Sequence, residues 1–315
     1  MCMTVKTKYI DPFTDFGFKW IFGTEENKAL LISFLNDLLE LDDKIVDITY
    51  RNLEKLGLNI IDRRAVFDIF CTDEKNNNFI VELQRGEQKY FKDRSVFYTS
   101  FPIQDMSKRG DWDYSLKKIY FVGILEFTFD DMRKSENRKT ISTTKDDKTY
   151  LTKVQLCDVD TKELFYDKLT YIYIEMPKFK KEEKELSNHL EKWLYFLNNI
   201  EDLSTIPQTF KNDEVLESAF DVAEFLALDE NKKFAYQQDL KTRLDYKNVM
   251  DYAKEKAEKL GEEMGMKKGM ELGVEKGIEK RNIEIAKNLL DVLDDETISL
   301  KTGLCVDTIK SLREK

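Results

Sequence analysis

The 315-residue chain is 41% hydrophobic and 36% charged, and its 21 Phe and 14 Tyr supply enough apolar volume for a sizeable core, which excludes disorder over most of its length. A net charge of −10 argues against a protein that coats nucleic acid. No apolar run approaches the ~20 residues of a membrane span, so no membrane role is expected.

The residue types narrow the chemistry further. His189 is the single histidine, so a multi-histidine metal site is excluded and a histidine-based triad would have to use that residue. It lies in SNHLEKWLYFL, which reads as a helix, and its expected role is structural. The four cysteines, Cys2, Cys71, Cys157 and Cys305, lie far apart and form no CxxC pair. Reduced thiols in a cytoplasmic protein are expected, and the N-terminal residues carry no secretory apolar region. Any metal must be held by carboxylates and carbonyls, which favours magnesium or manganese.

In chain order, the aromatic segment DPFTDFGFKWIFG ends at Gly23, and residues 25–41 follow with apolar positions Leu30, Leu31, Phe34, Leu35, Leu38 and Leu39 at helical spacing. Thr24 is the expected N-cap. The period then changes to two. Ile45–Arg51, Ala65–Cys71 and Phe79–Gln84 read as strands, the last two joined by a turn containing Asp73 and three successive asparagines. Glu87–Met106 reads as a helix that Pro102 bends or ends early. Ile119–Phe127, IYFVGILEF, is the run expected of a strand buried on both faces. A polar excursion, Phe129–Lys148, precedes strands near Tyr150–Cys157 and Leu169–Glu175. Helices follow, most clearly Ser187–Ile200 and Asp213–Leu228. This order gives an α/β class with a helical C-terminal part. Residues 75–118 hold nine Lys or Arg against six Asp or Glu, a net +3 stretch in an acidic chain.

Tyr246–Leu290 carries Gly261, Gly265, Gly269, Gly273 and Gly277 at every fourth position. Each glycine costs a helix about 1 kcal/mol relative to alanine. On a helix a period of four makes a slowly winding stripe that admits another backbone, so a homo-oligomer through this helix is expected, with a flexible, partly helical tether as the other reading. Ile283–Leu312 reads as two short helices separated near Gly303, either a DNA-reading helix-turn-helix or a plain hairpin.

The hairpin of the second and third strands carries the chemistry. Ile80, Glu82 and Gln84 share one face of the third strand. If Cys71 pairs with Phe79 across the turn, Asp68 lies opposite Glu82, with Cβ atoms ~5 Å apart. Two adjacent carboxylates are destabilising unless a divalent cation or a shared proton neutralises them. The plainer alternative is that each pairs with a cation such as Arg63, Arg64 or Arg85.

An Asp, a hairpin turn, then Glu82-Leu83-Gln84 resembles the core of PD-(D/E)XK nucleases. The wider pattern is similar to one branch in particular, the Rpn group of recombination-promoting nucleases, also described as PD-(D/E)XK nuclease family transposases. The matching segments are Asp15-Phe16-Gly17-Phe18-Lys19-Trp20-Ile21-Phe22-Gly23, Phe67-Asp68-Ile69, Val81-Glu82-Leu83-Gln84, the helix from Tyr90 to Tyr98, Pro102-Ile103-Gln104, the strand Ile119–Phe127, Glu175 to Phe179, and the Gly-every-four tail.

The resemblance implies a restriction-endonuclease-like core over residues 1–180, a mixed central sheet flanked by helices. A helical subdomain over 181–245, the Gly-every-four helical segment over 246–290 and a small helical hairpin over 291–315 would extend it. It implies a metal-dependent DNA endonuclease serving recombination or transposition. Asp68 and Glu82 would hold Mg2+ or Mn2+, aided by the Leu83 carbonyl, and Asp15 would join through water. Gln84, where the broad superfamily prefers lysine, would orient the attacking water but cannot act as a base. Lys19, Tyr90, Arg94 and Gln104 would contact DNA. The alternative is a non-catalytic oligomeric interaction or DNA-binding protein that retains the fold.

Overall fold

The computed structural model describes residues 7–52, 54–55, 65–107, 113–129 and 149–314. These divide into two compact units, Met1–Arg243 and Leu244–Lys315.

The first unit opens with helices α1 (Asp15–Phe22) and α2 (Lys28–Leu39). Strands β1 (Ile48–Tyr50), β4 (Ile69–Asp73), β5 (Asn78–Gln84), β6 (Ile119–Leu125), β7 (Leu151–Cys157) and β8 (Leu164–Glu175) form one mixed sheet. Its order is β1-β4-β5-β6-β8-β7, with β5, β6 and β8 parallel and the flanking pairs antiparallel. Between β1 and β4 a two-stranded ribbon pairs β2 (Glu54–Lys55) with β3 (Ala65–Val66). Helix α3 (Phe91–Ser107) links β5 to β6, while α4 (His189–Asn199) and α5 (Glu214–Ala223) follow the sheet.

Period-two alternation sorts the strand residues onto two cores. Ile69, Cys71, Phe79, Val81, Val122, Ile124, Ile172 and Ile174 share a cluster with Phe22, Phe34, Trp193, Phe196 and Phe220 from α1, α2, α4 and α5. Phe70, Ile80, Phe121, Tyr171 and Tyr173 share the other with Phe91 and Phe101 of α3. All seven residues of β6 are buried, as its unbroken apolar run requires. This is the mixed sheet with flanking helices and a helical C-terminal region that the sequence leads one to expect.

Helix α6 (Glu230–Leu289) is 60 residues long; it begins in the first unit and supplies most of the second. The second unit continues with α7 (Asp295–Thr302) and α8 (Val306–Arg313), joined through Gly303 at φ +73°, a left-handed turn that suits glycine. Ala286, Ile298 and Ile309 form its small core. A Cβ built on any of Gly261, Gly265, Gly269, Gly273 or Gly277 meets nothing within 4 Å.

Several boundaries differ from the expected ones. The first strand is only Ile48–Tyr50. The second is not one strand: it breaks at Phe67 and Asp68, between β3 and β4. Pro102 does not end its helix; α3 runs on to Ser107 with Pro102 buried inside it. Packing of Phe91 and Phe101 onto the sheet outweighs the hydrogen bond that proline removes. Residues 130–148, most of the expected polar excursion, and Arg63 and Arg64 lie outside the described residues.

Candidate active site

The β4–β5 register is the one that brings the two carboxylates together. Cys71 pairs with Phe79 and Ile69 with Val81, so the next position places Asp68 beside Glu82. The ladder ends at that point because side chains take over the main-chain bonding. The Leu83 N–H donates to Asp68 Oδ2 at 2.8 Å, and the Asp68 N–H donates to Glu82 Oε1 at 3.1 Å. Asp68 therefore sits in a bend rather than in a strand, held by its own carboxylate. Among the described residues, no hydrogen bond or ion pair engages Asp68 Oδ1 or Glu82 Oε2.

Both carboxyls have raised pKa values. Burial is the leading cause for each, and for Glu82 the neighbouring Asp68 charge adds to it, pushing it up to about 8. Lys19 pulls both down, Arg85 acts on Asp68, and Arg94 acts on Glu82. Glu82 keeps 5% of its surface exposed. Its neighbour across the parallel β5–β6 pairing is Gly123. A Cβ there would press on the Tyr173, Phe121 and Phe91 rings at 3.2–3.4 Å, so a side chain beside Glu82 on that strand would require those rings to give by a few tenths of an ångström.

Gln84 is committed at both ends. Its Nε2 donates to the Gly86 carbonyl at 2.7 Å, and its Oε1 accepts from Arg94 Nη2. Arg94 Nη1 donates to Gln88 at 2.6 Å, and its guanidinium lies 5.1 Å from the Phe91 ring and 5.5 Å from the Tyr98 ring. Arg94 Nε is buried without a hydrogen-bond acceptor among the described residues. Gln84 thus anchors Arg94 beside Glu82.

Helix α1 delivers Lys19 and Asp15 to the same neighbourhood, and its position is set by close packing. Thr14 caps it, accepting from the Gly17 N–H at 2.9 Å and donating to the Asp11 carbonyl at 2.7 Å. A Cβ on Gly17 would lie 2.2 Å from that carbonyl, so only glycine fits. Asp15 and Lys19 form an ion pair of 2.8 Å on the exposed side of the helix.

The beginning of α6 clamps this segment to the sheet. Arg243 donates to Asp11 Oδ2 at 2.8 Å, to the Phe13 carbonyl at 2.8 Å, and to both oxygens of Glu126 at 2.8 and 2.9 Å. The Glu126 N–H in turn donates to the Gln84 carbonyl at 3.0 Å. Tyr236 accepts from the Asp11 N–H at 2.8 Å, and Asp239 accepts from the Phe16 N–H at 2.8 Å while lying 3.8 Å from Arg85.

A family model, PD-(D/E)XK nuclease family transposase, matches residues 12–253. The chain belongs to that family. No curated protein and no solved structure gives a match. The matched span reaches from α1 through the carboxylate pair to the clamp and into α6. It covers the positions of Arg243 and Glu126, which carry no local sequence signal because they meet each other across 117 residues.

The other expected site residues are placed unevenly. Lys19 and Arg94 act electrostatically on the pair. Asp15 does not join Asp68 and Glu82 in a three-carboxylate group, and no such group occurs among the described residues. Tyr90 is 63% exposed just before α3, with Lys89 over its ring. Gln104 is exposed, ten residues along α3 from Arg94, which is about 15 Å of helix rise. Of the cations expected as possible carboxylate partners, Arg85 is described and acts electrostatically on Asp68, whereas Tyr98 and Gly123 were not expected at the site.

Proposed function

We propose that this protein is a metal-dependent DNA endonuclease of its family, hydrolysing phosphodiester bonds in recombination or transposition in the cytoplasm. The observation that supports this most is the buried pair Asp68 and Glu82, adjacent, raised in pKa, and each with an oxygen that no described residue engages. An oxygen-only donor set of this kind suits a hard divalent cation such as Mg2+ or Mn2+. Asp68 and Glu82 would hold it, with the Leu83 carbonyl as a further ligand and Asp15 through water. Bound there, the cation supplies Lewis-acid activation of water and neutralises charge on the scissile phosphate.

The chain's own residues do the rest. Arg94 carries an unmatched Nε–H and would turn from Gln84 toward a phosphate oxygen. That frees the Gln84 carbonyl oxygen to orient the attacking water. Lys19, which acts electrostatically on both carboxylates, would contact phosphate, and Tyr90 and Gln104 would extend the DNA contact along α3.

The Gly-every-four stretch supports a homo-oligomer. A Cβ at any of its five glycines would meet nothing within 4 Å among the described residues, and Met266, Met270, Val274 and Ile278 in the same stretch are exposed, so no contact among those residues offsets the cost of the glycines.

The test is plasmid cleavage by wild type, Asp68→Ala and Glu82→Ala with magnesium, manganese or EDTA. Cleavage that needs metal and both carboxylates is expected. Full activity in Asp68→Ala would sink the site, and a folded wild type silent in every metal would favour a non-catalytic interaction protein.

A further inference from the structure

A cavity of mixed lining lies on the same face of the sheet as Glu82, at the turn end of the β4–β5 hairpin and beneath the end of α3. Its volume is about 390 Å3. Asn78 and Glu82 are four residues apart on one face of β5, so the cavity is about 13 Å from the carboxylates.

Its lining combines three chemistries. Phe70 and Met106 supply apolar walls. Thr72 and Asn78 supply polar groups on a floor that is otherwise buried, at 6% and 8% exposure. Asn78 Nδ2 donates to the Asn76 carbonyl at 3.3 Å, and its Oδ1 accepts nothing among the described residues. Arg51 and Lys117 supply charge, with Asp105 the single carboxylate in the lining.

The charges at this mouth are unlike their neighbours. Lys75 is paired with Asp43 at 2.7 Å and Lys118 with Asp167 at 3.5 Å. Arg51 uses only its Nε, donating to Thr72 at 3.0 Å, and no ion pair engages Arg51 or Lys117 among the described residues. Lys117 belongs to the net-positive stretch 75–118, whose Arg85 and Arg94 act at the carboxylate site while Lys117 does not.

We propose that this cavity binds one unstacked nucleotide of a single-stranded nucleic acid, a reading that rests on the nuclease function. The base would lie against Met106, over a floor closed by the buried Phe70, with Asn78 Oδ1 reading its edge. Arg51 and Lys117 would take the phosphate. A stacked duplex presents no free base face to such a cavity, so it selects single strands or frayed ends.

The experiment is fluorescence anisotropy in EDTA with the full chain, using a labelled 12-nucleotide oligothymidylate and a blunt duplex of equal length. Arg51→Gln/Lys117→Gln is compared with Lys153→Gln/Lys211→Gln, which removes the same charge from exposed positions elsewhere. The cavity variant should lose about tenfold in single-strand affinity, against about twofold for the control and for the duplex. Equal losses for the two variants, equal losses on both nucleic acids, or no single-strand binding by wild type would overturn the proposal. If the double variant fails to fold, Lys117→Gln alone should lose about threefold, and no loss overturns it. No cleavage is read, so failure of the nuclease reading shows separately in the plasmid assay.

Discussion

Replacing Glu82 by Gln should make the metal-free protein more stable at alkaline pH. Gln keeps an oxygen to accept the Asp68 N–H and removes a charge that burial and Asp68 both disfavour. Because the folded pKa is raised from 4.5 to about 8, the charged form penalises the fold. That penalty is absent below the unfolded value, grows as pH rises, and is complete above about 8. At about 1.4 kcal/mol per unit, the window from 4.5 to 8 bounds it at about 5 kcal/mol. Relaxation of Asp68 and entry of water reduce this, leaving about 1–3 kcal/mol. For a unit of this size that is a rise in Tm of about 3–10 °C. The assay is calorimetry in EDTA at pH 8 and pH 5.5, with a rise at the first and little at the second. Added Mg2+ should stabilise wild type and leave Glu82→Gln unmoved. An unchanged or lower Tm at pH 8, or an equal gain at both pH values, would refute the electrostatic reading of the pair.

Gly17→Ala should cost about 1–3 kcal/mol by forcing the Asp11 carbonyl away, and it should weaken DNA binding through Lys19; calorimetry and anisotropy check the two effects. Arg243→Met strands Asp11, whose carboxylate is 95% buried, and should cost about 3–5 kcal/mol in denaturant melts, with Asp11→Asn recovering much of the loss in the double variant. His189 bridges Asp37 and Asp213, and the Asp37 hydrogen bond raises its pKa. Its contribution is full below the unfolded value near 6.5 and fades as pH rises through the folded one, so the Tm gap to His189→Gln should shrink between pH 6 and pH 9. Gly269→Ala/Gly273→Ala should strengthen the helix by about 1–2 kcal/mol and abolish self-association, read by circular dichroism and sedimentation.

What the sequence discloses is what local periodicity can carry. The hairpin register follows from alternation and from a turn whose Asp73 side chain accepts the Lys75 and Asn77 N–H groups at 3.0 and 2.7 Å. That register alone puts Asp68 beside Glu82. The bend at Asp68 is not legible, because it arises when a side chain competes with the ladder for the Leu83 N–H. Nor is the continuation of α3 through Pro102, which depends on an aromatic core assembled from distant strands.

The clamp is the clearest case of information that only folding reveals. Arg243 and Glu126 are 117 residues apart, and no spacing relates them to Asp11 or Phe13. Yet the bonds run without interruption from Arg243 through Glu126 to the Gln84 carbonyl, and from Arg243 through Asp11 and Phe13 to the helix bearing Lys19. The first turns of α6 therefore belong to the framework of the carboxylate site. A variant of Arg243 that still folds should disturb Lys19 and Gln84 together, whereas loss at either residue alone should leave the other in place.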